Sequence, residues 1–334
     1  MKKLLSISLS LVLTGCMALG TSAFAAESED VEPNPDDVAV VKVATLMGPT
    51  GMGMAKLIED SREGKTELDY EFTIASSPDQ VTPMVINGSV DIAALPINLA
   101  AALYQKTDGA LQLAAVNTLG VLSILENGDS VKSMDDLKGK TLYATGQGST
   151  PEYILNYLLD KNGIADDVTI EYIPEHAELA AKMASGDVNL GMLPEPNVTS
   201  VLMNNPDVHI ALDLTDEWDQ VSDSQLVQGV IIVSKKFADN YPAFVEAFLD
   251  EYEGSVDYTL NNAKEAAQLI EHEGIIPKAA IAENAIPNSN ICFIVGDGMK
   301  TAASNMIEVL YDADPKSVGG KLPDDAFYFI SKKE

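Results

Sequence analysis

Two glycine-rich loops, a few hydroxyls and one carboxylate set between prolines are the groups in this sequence whose types and spacing suggest shared chemistry, and that chemistry is recognition. Gly146-Gln147-Gly148-Ser149 runs into Thr150-Pro151, a helix start with a hydroxyl N-cap and proline at the first helical position. Such a loop aims free backbone N–H groups and the positive end of a helix at whatever lies in front of it. Gly48-Pro49-Thr50-Gly51 has the same make-up and the same expected task. A third helix start, Ser76-Ser77-Pro78-Asp79-Gln80, has Ser77 as cap and Gln80 at the capping-box position, leaving the Ser76 hydroxyl free to turn toward a ligand. In Leu193-Pro194-Glu195-Pro196 the flanking prolines stiffen the chain around Glu195, whose ionised carboxylate can only accept hydrogen bonds.

Bond-making machinery is not visible. His176, His209 and His272 are far apart, and none forms a short-spacing pair with another histidine or a cysteine, so no metal site is expected. No Gly-x-Ser-x-Gly elbow occurs, and Cys292 lies in an apolar run without a nearby histidine, as a small core residue would. Gly51-Met52-Gly53 falls short of the dinucleotide glycine pattern and no Gly-Lys-Ser/Thr phosphate loop exists, so no cofactor is expected. The acidic pairs Asp135-Asp136, Asp166-Asp167 and Asp324-Asp325 read as caps and solvated turns.

The elements that must carry the loops come from an internal repeat. Val41-Lys42-Val43-Ala44-Thr45 is a β-branched strand that enters the first loop and then a helical pattern, and Lys140-Thr141-Leu142-Tyr143-Ala144-Thr145 repeats it 100 positions later. Gly88-Ser89-Val90-Asp91-Ile92 through Leu95-Pro96 returns at nearly the same offset as Gly186-Asp187-Val188-Asn189-Leu190 through Leu193-Pro194. Each copy reads strand, glycine loop, helix, strand, helix, short strand, which builds right-handed βαβ units. The expected fold class is therefore α/β, with two lobes of open sheets flanked by helices and joined by a two-strand hinge. Ligands in such sheets sit beyond the carboxyl ends of the strands, where the loops converge. The expected crossings lie at 116–125 and 225–234, giving a first lobe of 38–125 and 228–334 and a second of 126–227.

The chain has 334 residues, too many for one ordinary core and suited to two. Its net charge of −30 repels phosphate backbones, which excludes nucleic acid as a partner. Arg62 is the only arginine, so an anion site would have to rely on backbone N–H groups. Met1-Lys2-Lys3, an apolar stretch and Ala23-Phe24-Ala25 form an export signal over 1–25. Leu13-Thr14-Gly15-Cys16 equally matches a lipoprotein signal over 1–15, with Cys16 acylated, and both routes place the protein in the cell envelope. An acidic linker follows at 26–37.

The phrases Gly88-Ser89-Val90-Asp91-Ile92-Ala93, Met134-Asp135-Asp136-Leu137-Lys138-Gly139-Lys140-Thr141, Gly146-Gln147-Gly148-Ser149-Thr150, Leu193-Pro194-Glu195-Pro196 and Ser234-Lys235-Lys236-Phe237 together give the sequence its resemblance. It resembles the extracellular solute-binding proteins of ABC importers, in the branch for sulfonates, nitrate and thiamine pyrimidine precursors, which have the type II periplasmic-binding-protein fold. The resemblance implies a receptor, expected as a monomer, that closes on a small solute and delivers it to permease subunits driven by a cytoplasmic ATPase. It implies ligand contacts from Gly48, Thr50, Ser76, Pro96, Asn98, Gln147, Ser149 and Glu195, with Thr118 near the hinge. Gly51, Gly148 and Thr150 join them from the loop argument above. Glu195 and the scarcity of arginine favour a neutral or weakly anionic heterocycle over an amino acid. Two alternatives stay open: an enzyme on the same bilobal fold, and a receptor serving another transporter or a sensor.

Overall fold

The computed structural model describes residues 40–330. The expected export signal over 1–25, the acylation site Cys16 and the acidic linker over 26–37 lie outside the described residues.

Eleven strands form among the described residues: β1 (Val41–Leu46), β2 (Tyr70–Ala75), β3 (Ile92–Pro96), β4 (Leu111–Thr118), β5 (Leu122–Asn127), β6 (Thr141–Ala144), β7 (Thr169–Tyr172), β8 (Leu190–Pro194), β9 (Val208–Asp213), β10 (Gly229–Ser234) and β11 (Ile291–Ile294). They assemble as two open sheets, in the orders β2-β1-β3-β10-β4-β11 and β7-β6-β8-β5-β9. The repeat accounts for the shared plan. In the first sheet β1 is parallel to β2 and β3, and in the second β6 is parallel to β7 and β8. The next strand in each is antiparallel: β10 lies between β3 and β4, and β5 between β8 and β9.

Those two antiparallel strands exchange between halves of the chain. The chain leaves the first sheet at Thr118 and enters the second at Leu122, so β5 is the first strand after one crossing. It returns between Asp213 and Gly229, and β10 is the first strand after the other. The apolar run at 116–125 thus holds the end of one buried strand and the start of another. Strands buried on both faces carry no alternation to mark the break. Leu122 to Leu125 pair in the second sheet, beyond a bend at 119–121.

Helices cover both sheets. The first copy supplies α1 (Pro49–Met52), α2 (Ala55–Arg62), α3 (Pro78–Ile86) and α4 (Ile97–Lys106). The second supplies α5 (Thr150–Lys161), α6 (His176–Ser185), α7 (Asn197–Asn204) and α8 (Leu214–Asp219). After the return come α9 (Lys235–Asn240), α10 (Pro242–Asn261), α11 (Ala263–His272), α12 (Ala279–Ala285) and α13 (Gly296–Ala313). Apolar residues at helical spacing in α10, among them Val245, Phe248, Leu249 and Tyr252, are buried against the first sheet together with α2, α11 and α12. α13 packs on β4 and α4 and also meets α5 of the other lobe. One contiguous apolar core runs through both lobes, from Leu95 and Val116 to Leu122, Leu158 and Trp218.

Three of the local readings can be seen in atomic detail. Ser133 and Asp136 form a full capping box at a short 3-10 turn. Asp324 caps another by accepting from the Ala326 N–H at 3.1 Å. Cys292 is half-buried on β11 and burial pushes its thiol up to about 12, which keeps it protonated and unreactive. The single arginine is committed to the fold: Arg62 on α2 grips Glu273 with two nitrogens, at 2.7 and 2.6 Å, and reaches Glu59 at 2.9 Å. That fork ties α2 to the end of α11.

Candidate functional site

A cavity of about 490 Å³ lies where the C-terminal edges of the two sheets face each other. Its size is that of a small-molecule site. From the first lobe come Thr50, Pro96, Asn98 and Thr118, and from the second Gln147, Gly148, Ser149 and Thr150. All eight were expected from the sequence. Thr50 arrives on α1, Asn98 in the first turn of α4 directly after β3, and Thr118 at the last position of β4. The lobes touch here, because the Thr150 hydroxyl donates to Asn98 Oδ1 across the cavity at 2.8 Å and both side chains are buried.

The second loop is built differently in one respect from its sequence reading. Ser149, extended at φ −136° and ψ 179°, is the N-cap of α5, and the helix begins at Thr150. Thr150 is the first helical residue rather than the cap, and its hydroxyl donates to Asn98. Ser149 Oγ instead donates to the Gly146 carbonyl at 2.6 Å and tightens the loop. Gly148 adopts φ +75° with open space where a Cβ would stand, so the loop needs its glycine for conformation. Its N–H is not free, since it donates to Glu152 Oε2 at 2.5 Å. The start of α3 does the same: Ser77 is the N-cap, and the Ser76 N–H donates to Gln80 Oε1 at 3.0 Å. At both helix starts the side chain four residues on reaches back to the residue before the cap.

Four expected residues stand away from the cavity. Gly48 is the N-cap of α1, buried, at φ +91° with open space where a Cβ would stand. Gly51 is buried against β1, where it permits close packing. Ser76 is exposed outside the lining. Glu195 is only 3% exposed, and its Oε2 accepts from the Thr199 N–H at 3.1 Å, so the carboxylate turns back onto the start of α7. Burial pushes its pKa above the usual carboxylate range, against the pull of Thr199 and of Asn288, which approaches from the first lobe. α7 and α12 meet there, which makes Glu195 part of a lobe-to-lobe contact beside the cavity.

Sequence reasoning missed three polar lining residues, Asp79, His176 and Gln228, and an apolar set that includes Leu99, Val121, Leu122 and Pro194. The repeat could have found His176, which follows Ser76 by the same 100 positions that separate Ala44 from Ala144. His176 Nδ1 lies 2.6 Å from Thr145 Oγ1, and burial lowers its pKa, leaving a neutral imidazole at the cavity wall. Stability carried by this neutral form is present above the unfolded pKa of about 6.5. It is lost as pH falls below that value, because the unfolded chain then takes up the proton more readily. Thermal melts from pH 7 to pH 5 should show the wild type losing stability faster than His176→Gln, and parallel curves would refute this. Gln228 is fixed by its backbone, its N–H donating to the Thr118 carbonyl and its carbonyl accepting from Ile97, both at 3.0 Å. Its Nε2 is buried with no hydrogen-bond partner among the described residues.

No helix among the described residues is long and apolar enough to cross a membrane. Glu59, His272 and Glu273 approach one another closely enough to suggest a metal site, but Arg62 already occupies the space between them.

Comparison with known proteins agrees with this arrangement. Over 89% of the chain and 100% of its counterpart, the structure matches that of an ABC transporter protein from Parabacteroides distasonis, with a TM-score of 0.75 and 26% identity. The periplasmic aliphatic sulphonate binding protein SsuA from Escherichia coli matches in fold, with a TM-score of 0.69 at 16% identity over 86% of this chain and 92% of that one. The alkanesulfonate-binding protein SsuA from Xanthomonas axonopodis, solved with MOPS, shares the fold with a TM-score of 0.60 at 16% identity, over 86% and 95% of the two chains. A search of curated proteins finds no match. The family model described as NMT1/THI5 like matches residues 65–266, a span that includes α3, both crossings and the whole second sheet, and the chain accordingly belongs to the NMT1/THI5-like family.

Proposed function

We propose that this protein is the extracytoplasmic solute-binding receptor of an ABC importer. It captures a small organic solute between its lobes by hinge closure and presents the closed form to permease subunits coupled to a cytoplasmic ATPase. The observation that carries the reading is the cavity itself: both repeat copies turn a loop and a helix start into one enclosure, and a side-chain hydrogen bond spans it. Membership of the NMT1/THI5-like family and the 26% identity to the P. distasonis ABC transporter protein support it. Thr50, Pro96, Asn98, Thr118, Gln147, Gly148, Ser149 and Thr150 are the proposed solute contacts. The lining offers no nucleophile paired with a base, so binding without turnover is the expected activity. Export to the cell envelope, with the body acting as a monomer, completes the proposal.

A solute at a hundred times its Kd should stabilise the folded protein by about 2.7 kcal/mol. The test is native mass spectrometry of protein purified without refolding, followed by thermal melts with any released molecule. A discrete bound mass whose re-addition raises Tm supports the proposal. Chemical conversion of that molecule by the purified protein would overturn it.

A further inference from the structure

His176 meets the cavity with one ring nitrogen already committed. It is the first residue of α6, and its Nδ1 lies 2.6 Å from the hydroxyl of Thr145, just past the end of β6. Thr145 is wholly buried, and its hydroxyl has no other partner among the described residues. A neutral imidazole carries its one N–H on either nitrogen, and the partner of one nitrogen decides which. Were the proton on Nδ1, Thr145 would accept it and keep a buried O–H with nothing to receive it, which costs free energy. Thr145 therefore donates to Nδ1, and the ring proton sits on Nε2. Thr45, the matching position in the other repeat copy, is likewise a buried hydroxyl that donates, in its case to the Thr50 carbonyl at 3.5 Å.

Nε2 is also the nitrogen that a solute can reach. The ring lines the cavity and is half-buried, and Nε2 makes no hydrogen bond among the described residues. The polar side-chain atoms that are both sealed from solvent and unpartnered are Tyr172 Oη, Glu195 Oε1, Gln228 Nε2 and Tyr252 Oη. His176 Nε2 is not one of them, so it keeps open surface on the cavity wall. Several other donors of the lining are spent within the protein: the Thr150 hydroxyl on Asn98, that of Ser149 on Gly146, that of Thr118 on Asn117, and the Gly148 N–H on Glu152.

Resting on the receptor reading above, we propose that His176 is a specificity-determining residue whose Nε2–H donates to a hydrogen-bond acceptor of the solute, with Thr145 as the positioning residue that holds it in that tautomer. The solute then turns a carbonyl oxygen, a ring nitrogen or an acid oxygen toward α6. A group that offers only N–H there, such as an ammonium, is refused.

Proton–nitrogen correlation NMR of the imidazole rings in the solute-free protein reads the tautomer, with His176→Gln identifying the signal. The expected result is a proton on Nε2 and a bare Nδ1 in the wild type, and a mixture of both forms in Thr145→Val, which keeps the shape of threonine without its hydroxyl. A proton on Nδ1, or a Thr145→Val spectrum like that of the wild type, would overturn the inference and leave the receptor reading standing. Thermal shift with small probes reads the contact. Benzamide, nicotinamide, benzoate and benzenesulfonate offer acceptors, neutral or anionic, and benzylamine offers only N–H, within a wider panel built the same way. Acceptor probes should bind His176→Leu about tenfold more weakly than wild type, and His176→Gln, whose amide nitrogen falls near the place of Nε2, should restore most of that loss. Acceptor probes bound equally by His176→Leu, or benzylamine bound as well as they are, would overturn the contact. Absence of any hit across the whole panel would overturn the receptor reading, and this inference with it.

Discussion

Gly51→Ala is expected to cost about 3 kcal/mol of folding stability, although it adds a single methyl group. A Cβ at Gly51 would stand 2.1 Å from the Leu46 carbonyl oxygen and 3.2 Å from Ile275 Cγ2. Neither side of that contact gives way easily. Leu46 ends β1, which is paired with β2 on one side and β3 on the other. Gly51 is tied into α1, its N–H donating to the Gly48 carbonyl at 3.0 Å and its carbonyl accepting from Met54 at 2.9 Å. Relief therefore has to come from moving α1, and α1 carries Thr50 into the cavity. Urea denaturation would register the change as a lower midpoint at unchanged slope. A shift of less than about 0.5 kcal/mol, the range of ordinary surface substitutions, would refute the packing argument.

Gly229→Val should weaken solute binding by about a hundredfold, some 2.7 kcal/mol. Gly229 opens β10 on the cavity floor, and a Cβ there would lie 2.6 Å from Asn117 Oδ1, 2.7 Å from Thr50 Cγ2 and 3.0 Å from Thr118 Cβ. These three side chains form one linked group, in which Thr118 Oγ1 donates to Asn117 Oδ1 and Asn117 Nδ2 to the Thr50 carbonyl. Displacing them pushes Thr50 and Thr118 into the space the solute needs. Calorimetric titration of the variant with the solute identified by native mass spectrometry measures the loss. Affinity within threefold of wild type would mean that the solute does not reach the floor of the cavity.

The fold was legible because its signal is repeated. Strand, glycine loop and helix recur at offsets near 100, and a strand ending in Leu-Pro closes each copy, so two sheets of one plan could be read without three-dimensional information. The crossings were harder to place. Thr118 and Leu122 lie within one apolar run, and the bend between them follows from which strands they pair with. In the site, the loops and the ends of β3 and β4 were readable because local turn chemistry fixes them. Gln228 was not, since its meaning lies in contacts with Thr118 and Ile97, both more than a hundred positions away. Glu195 shows the converse. The prolines around it do constrain the chain, but direction was decided by the nearby Thr199 N–H, a local donor that the sequence reading did not weigh against the cleft.

The position of β10 also bears on the order in which the protein can assemble. All five strands of the second sheet lie within 122–213, so that lobe is complete in the chain before Gly229 has been made. The first sheet at that stage has β1 to β4 but a vacant slot between β3 and β4, which only Gly229–Ser234 fills. Until then β3 presents one unpaired edge and β4, whose other neighbour β11 comes later still, presents two, the arrangement most open to pairing with a neighbouring chain. The later-made lobe is thus the first able to close, and the earlier-made one waits for a strand from beyond it, so a chain halted between Asp213 and Gly229 would hold one finished lobe and one open seam.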